Sequence, residues 1–139
     1  MTVYRTLVHA KIHRARVTAA DLNYVGSITI DSDLLEASGI ADFERVQVVD
    51  VTNGARLETY AIPGERGSGT IQLNGAAAHL VDVGDIVIVM AYAQVPDPLP
   101  AEWHPVVLLM DEDTNTIRHL VTKPSDAQAM PTRSLVPAS

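Results

Sequence analysis

The 139-residue chain carries ten Lys plus Arg against seventeen Asp plus Glu, a net charge of −7, with 47% apolar and 19% charged residues. These figures describe a globular chain of single-domain length and argue against disorder, a collagen-like repeat and general nucleic-acid binding. No cysteine is present, which excludes disulfides, thiolate metal sites, iron–sulfur clusters and a cysteine nucleophile; no apolar run reaches membrane-span length and MTVYRTLVHAKIHR lacks the apolar block of a signal peptide, so a cytoplasmic protein is expected.

The first run, VYRTLVH (3–9), alternates like a strand, and ARVTAAD (15–21) reads as a second. The opening 26 residues hold Arg5, Lys11, Arg14 and Arg16 against Asp21 alone, so positive charge is concentrated at the front of an acidic chain. Two readings stand: a basic strand solvated or paired with the acidic remainder, or an anion pocket. His9 and His13 have a spacing suited to metal on a helix, but the strand-like alternation opposes it, and no metal is expected.

NYVGSITID (23–31) joins a polar turn to an alternating strand through Gly26-Ser27, and a second Gly-Ser pair stands at 67–68. The bland reading of either is a turn. The chemical reading is self-cleavage: Ser27 Oγ attacks the Gly26 carbonyl, which glycine leaves sterically open, and the amide becomes an ester. β-Elimination then releases the Gly26 carboxylate, and the dehydroalanine hydrolyses to a pyruvoyl group and ammonia. Such a ketone supplies an electrophile that the missing cysteines cannot.

A short helix is expected after Asp31 or Ser32 as N-cap, with Leu34, Leu35 and Ala37 apolar and Gly39 just past its end. VQVVDV (46–51) and RLETYAI (56–62) flank Asn53-Gly54, which predicts a hairpin through a type I′ turn. Strand alternation sets Arg56, Glu58 and Tyr60 on one face and Leu57 and Thr59 on the other. TIQLN (70–74) reads as a strand, and NGAAAH (74–79) as small residues that either pack tightly or let a ligand approach the backbone.

DIVIVMAYAQV (85–95) is a long strand, PDPLPAEWHP a proline-rich break, VVLLM (106–110) one more strand, and DEDTN (111–115) a solvated turn. About seven strands with two small helices predict a mainly β, closed barrel, with a sandwich as the alternative. One domain is expected over 1–121, followed by a flexible tail over 122–139.

Taken in order, KIHRARVT, ADLNYVGSITID, VTNGAR, TYAI, ERGSG, NGAAAH and VGDIVIV resemble the bacterial aspartate 1-decarboxylase family, which makes β-alanine for pantothenate synthesis. The resemblance spans residues 4 to 95, and nothing is carried past Pro96. It implies a double-psi β-barrel, a homotetramer with active sites between neighbouring subunits, and processing at Gly26-Ser27 rather than Gly67-Ser68. The products are a β chain, 1–26, and an α chain, 27–139, that begins with a covalent pyruvoyl cofactor made from Ser27.

The resemblance also implies site residues. Lys11 and Arg56 hold the carboxylates of L-aspartate, which the pyruvoyl decarboxylates through a Schiff base, and Tyr60 donates the proton. Thr59 supports the acyl-shift oxyanion and lines the pocket. His13 and Tyr24 lie close to the pyruvoyl, and Asn74, Gly75, Ala76 and Ala77 shape the wall. Thr59 and Tyr60, being consecutive, reach one site only where the strand bends or ends, for which Pro63-Gly64 is the candidate. Val25 stands where some family members carry an acidic residue, so processing is either spontaneous or assisted by an activator protein. A non-catalytic barrel module, or a pyruvoyl decarboxylase for another amino acid, are the competing readings.

Overall fold

The computed structural model describes residues 1–123, so most of the 122–139 tail lies outside the described residues. In chain order the elements are β1 (Tyr4–Arg16), β2 (Ala19–Asp21), β3 (Ser27–Asp31), α1 (Ser32–Ser38), β4 (Arg45–Asp50), β5 (Arg56–Gly64) and β6 (Ile71–Asn74). A 3-10 turn (Gly75–His79), β7 (Ile86–Pro96), β8 (Val106–Asp111) and β9 (Thr116–Val121) follow. The nine strands form one sheet in the order β2-β6-β3-β5-β4-β7-β1-β8-β9. The fold is mainly β and barrel-like, as the resemblance implies.

Alternation builds the core. On β3 and β6, Ile28, Ile30, Ile71 and Leu73 are fully buried, and Ile12, Val46, Val48, Val87 and Val89 close the same interior from β1, β4 and β7. Each such side chain contributes about 1.5–3 kcal/mol by leaving water. The intervening residues of these strands lie on the opposite face, where some, such as Ser27 and Asn74, are also buried, and those residues carry the candidate chemistry.

β1 absorbs the start of the second expected strand. It runs unbroken past His13, with a register shift between His13 and Ala15 and Arg14 at φ 67°. The bulge lets one strand bend where two were expected. β1 pairs antiparallel with β7 and parallel with β8, so it lies inside the sheet with a partner on each side.

α1 forms as its caps dictate: the Asp31 side chain accepts from Asp33 N, and Gly39 ends the helix at φ 81°. Asp31 also accepts from Gly67 N at 3.0 Å and Gly69 N at 2.9 Å, which makes GERGSG a carboxylate-anchored turn. The second Gly-Ser pair is thereby explained as structure.

The β4–β5 hairpin is present, with Val49 opposite Arg56, but its turn is not type I′. Gly54 has φ 80° while Asn53 is not left-handed. The loop instead folds onto Asp50, whose Oδ1 accepts from Thr52 N and Asn53 N and whose carbonyl accepts from Gly54 N. β5 does end at Gly64, but Pro63 and Gly64 are still in the ladder, paired with Ile30 and Asp31 of β3, so the strand neither bends nor ends at Thr59-Tyr60. The strand changes neighbour instead, pairing with β4 through Tyr60 and with β3 from Ala61.

β9 was not expected. Its residues are exposed up to Val121, so TIRHLV carries no one-sided apolar pattern to announce it. DEDTN is the turn between β8 and β9, organised by Asp111 Oδ1 accepting from Asp113 N and Thr114 N. Buried Asn115 then ties this hairpin to the end of β1, bonding Arg16 N at 2.8 Å, Arg16 O at 2.7 Å and Gly69 O at 2.9 Å.

Candidate active site

Ser27 opens β3 and is 1% exposed, whereas Gly26 and Tyr24 before it are exposed. Its Oγ donates to Val25 O at 3.0 Å and accepts from Asn74 Nδ2, also at 3.0 Å. The antiparallel register sets Ser27 directly opposite Asn74 on β6. Gly26 itself is not in the left-handed region, and a Cβ there would meet nothing within 4 Å, so its Cα borders open space on that side.

Gly75 presses on the other side of this junction. It sits at φ 68°, and a Cβ there would lie 2.7 Å from Gly26 Cα and 3.1 Å from Tyr24 O. The NGAAAH segment is therefore tightly packed at this point, and what it packs against is the Gly-Ser loop. Ala76 is exposed and Ala77 half-buried.

Tyr60 approaches from β5. The parallel β3–β5 register begins at Ile28 and Ala61, and one step earlier stand Ser27 and Tyr60. Tyr60 is half-buried, opposite exposed Arg45, and its ring centroid is 6.5 Å from that of Phe43. Thr59, by contrast, is opposite buried Val46, so at this pair of residues β5 keeps the ordinary alternation between faces.

Lys11, His13 and Arg56 belong to a second group. Register carries His13 through Ile88 and Val49 to Arg56, and Lys11 through Met90 and Gln47 to Glu58. All three therefore share the outward face of β1, β7, β4 and β5. Three strands lie between β1 and β3 in the sheet order, so strand pairing does not set Lys11 or His13 beside Ser27. Within one chain the pairing does not bring these two to the Gly-Ser junction.

The basic front segment divides in the same way. Arg5 pairs with Asp97 at 3.0 Å and Arg14 with Glu112 at 2.9 Å, while Arg16 donates to Glu112 O and Gly84 O. Arg5 and Arg14 thus follow the paired reading and Arg16 is held by backbone carbonyls, whereas Lys11 and Arg56 make no ion pair with any described residue. His9 bonds Glu44 at 2.6 Å, which accounts for it without a metal. Burial, with the charges of Lys11 and Arg14, pushes the His13 imidazole down to about 4, so it is neutral at physiological pH.

Two residues of this site were missed. Thr29 Oγ1 accepts from Asn74 Nδ2 at 2.9 Å, and Gln72 Nε2 donates to Asn74 Oδ1 at 2.7 Å. A signal was present: alternation in SITID and TIQLN puts Ser27 with Thr29, and Gln72 with Asn74, opposite the apolar faces of their strands.

Among the described residues no helix is long and apolar enough to cross a membrane. The family model described as aspartate decarboxylase matches residues 3–117, which takes the likeness beyond Pro96 into β9. The chain belongs to the aspartate decarboxylase family. It is 57% identical over 123 residues to the aspartate 1-decarboxylase of Geobacillus sp. (strain WCH70), covering 88% of this chain and 97% of that one. Over 110 residues it is 59% identical to the Bacillus licheniformis aspartate 1-decarboxylase, covering 79% and 87%. The Carboxydothermus hydrogenoformans aspartate 1-decarboxylase is 56% identical over 116 residues, covering 84% and 91%. The chain is accordingly an enzyme, a carboxy-lyase.

Proposed function

We propose that this enzyme decarboxylates L-aspartate to β-alanine and CO2 for pantothenate synthesis in the cytoplasm, after processing itself between Gly26 and Ser27. Residues 1–121 act as one catalytic domain. The observation that carries the reading is the buried Ser27 hydroxyl, held by Asn74 at its junction with exposed Gly26. Donating its hydrogen to Val25 O at 3.0 Å raises electron density on Ser27 Oγ, and the Asn74 N–H fixes the direction of the hydroxyl.

The same pocket fits a pyruvoyl group at position 27. Asn74 and Thr29 offer N–H and O–H groups next to it, and Gly75 leaves no bulk there. Such a group supplies a ketone that engages the substrate amine and draws off the electrons of the departing carboxylate.

The chain's own residues bind and protonate. Arg56 holds one carboxylate through its planar fork, and Lys11 adds a second positive charge. The scissile carboxylate belongs in the less polar part of the pocket, since a strong ion pair there would stabilise the ground state. Tyr60 Oη delivers a proton to the carbon that loses CO2, with Thr59 supporting the oxyanion of the processing step. His13, neutral, and Tyr24 line the site with Ala76 and Ala77.

The place of Lys11 and His13, with three strands between them and β3 in the sheet order, favours a site completed by a second copy, within a homotetramer. The half-buried apolar residues Val49, Ile88 and Met90 lie on the same outward face as Lys11 and Arg56. An activator protein is a possible aid to processing, given Val25.

The test is the denatured intact mass of purified protein, with and without a carbonyl-trapping reagent. Fragments 1–26 and 27–139, the second shifted by the reagent, are expected, followed by β-alanine release from L-aspartate. An intact, unreactive chain without β-alanine release would sink the reading.

A further inference from the structure

We propose that Gln72 is a positioning residue for processing of the Gly26-Ser27 bond, acting through Asn74. The inference rests on the processing reading above. Antiparallel pairing sets Ser27 opposite Asn74 and Thr29 opposite Gln72, so four polar side chains occupy two successive rungs on one face of β3 and β6.

Asn74 is fully buried, and its amide must find all its partners inside the protein. Nδ2 spends its two hydrogens on Ser27 Oγ at 3.0 Å and Thr29 Oγ1 at 2.9 Å, and Gln72 Nε2 serves Oδ1 at 2.7 Å. Turned by 180°, the Asn74 amide would present an acceptor to Ser27 Oγ, whose hydrogen already goes to Val25 O. Only the observed orientation holds Oγ in place while leaving its hydrogen on Val25 O, and the Gln72 amide is the donor that selects it.

With one bond donated and one accepted, Ser27 Oγ keeps a lone pair for the Gly26 carbonyl carbon. In the acyl shift the Oγ–C bond forms and the Gly26–Ser27 C–N bond breaks. The hydroxyl proton ends on the released amine. No oxidant, reductant or co-reactant is required.

The nearest acids across the ladder are already committed. Asp21 on β2 accepts from Asn23 N, and Asp31 on β3 from Asp33, Gly67 and Gly69 N.

The experiment follows processing of newly made full chain by timed intact mass at pH 8 and pH 5, for wild type, Gln72→Glu and Gln72→Met. Each rate is expressed relative to wild type at the same pH, and thermal melts confirm folding. In Gln72→Glu the introduced carboxylate offers Asn74 Oδ1 no donor at pH 8, and splitting is expected to slow at least ~10-fold, the effect of about 1.4 kcal/mol. At pH 5 the protonated fraction donates O–H, and the relative rate should rise several-fold. Gln72→Met should be slow at both pH values.

Wild-type rates in both variants at pH 8, or a relative rate of Gln72→Glu that ignores pH, overturn the role. Should Gln72→Glu not fold, Gln72→Met decides, a wild-type rate refuting and a ~10-fold loss supporting. A wild-type chain that never splits overturns the processing reading, and this inference with it.

Discussion

Gly75 and Gly26 are packed so closely that a single methyl group cannot fit between them: a Cβ at 75 falls 2.9 Å from Gly26 N. The contact is backbone against backbone, so no side chain can rotate away. Gly75→Ala must also hold φ 68°, which costs an L-residue about 1 kcal/mol before any clash. The variant should be destabilised by about 1–3 kcal/mol and process more slowly, because relief comes by moving the Gly26 loop off Ser27. Melting temperature and timed intact mass check both halves; an unchanged processing rate would show that this contact does not position the loop.

Tyr60→Phe separates the two chemistries assigned to the site. Tyr60 is proposed for substrate protonation and not for chain processing. The variant should split normally and react with a carbonyl trap, yet lose β-alanine production by 100-fold or more, the lower end of what a general acid contributes. Normal turnover would remove Tyr60 from that role.

A buried carboxyl pair makes stability depend on pH away from the candidate site. Asp50 is 1% exposed and its Oδ2 lacks an ordinary partner, facing the Asp85 carboxyl. Burial, with the Asp85 contact, pushes Asp50 up to about 6, so the pair keeps a proton that an unfolded aspartate has lost. A raised carboxyl value means the fold binds more protons than the unfolded chain between about pH 4 and 6, so stability falls as pH rises through that window. Asp50→Asn should gain stability at pH 7–8, by about 2 kcal/mol at most, and flatten this slope. Equilibrium denaturation at pH 5 and 8 would refute the shared proton if the variant and wild type kept the same difference.

His13 has the opposite sign. Its value is lowered to about 4 by burial and by Lys11 and Arg14, so the unfolded chain gains a proton first as pH falls from about 6.5. Stability from this residue is present above that value and is lost towards pH 4. Imidazole NMR should find His13 neutral at pH 6; half-protonation there would refute the assignment. His13→Gln should soften acid unfolding without affecting the pair at Asp50.

The strands that bury one face were legible because Ile28, Ile30, Ile71 and Leu73 alternate with polar residues. β9 was hidden because nearly all of it is exposed, and the Asn53-Gly54 turn was misread because Asp50 gathers the loop's N–H groups. The dipeptide proposed for processing could be told from Gly67-Ser68 by resemblance alone; in the structure the two differ physically, since Ser27 is buried and Ser68 is exposed in a turn. Alternation puts Thr29 on the face of Ser27 and Gln72 on the face of Asn74, but it does not say that the two faces meet. Their meaning depends on which strand lies beside which, and β3 and β6 are joined only after the chain has passed through α1, β4 and β5.

The interior position of β1 has a consequence for a cut at position 26. Residues 4–16 are laced to β7 and β8, both of which lie beyond the cut in sequence. Severing the backbone there would leave an embedded ribbon, a non-covalent guest gripped along both edges and pinned at Arg16 by Asn115. Unfolding such a nicked molecule releases two polypeptides where an intact one releases a single chain. Its melting temperature should then climb with protein concentration, and the two pieces, made separately, should find each other and rebuild the sheet.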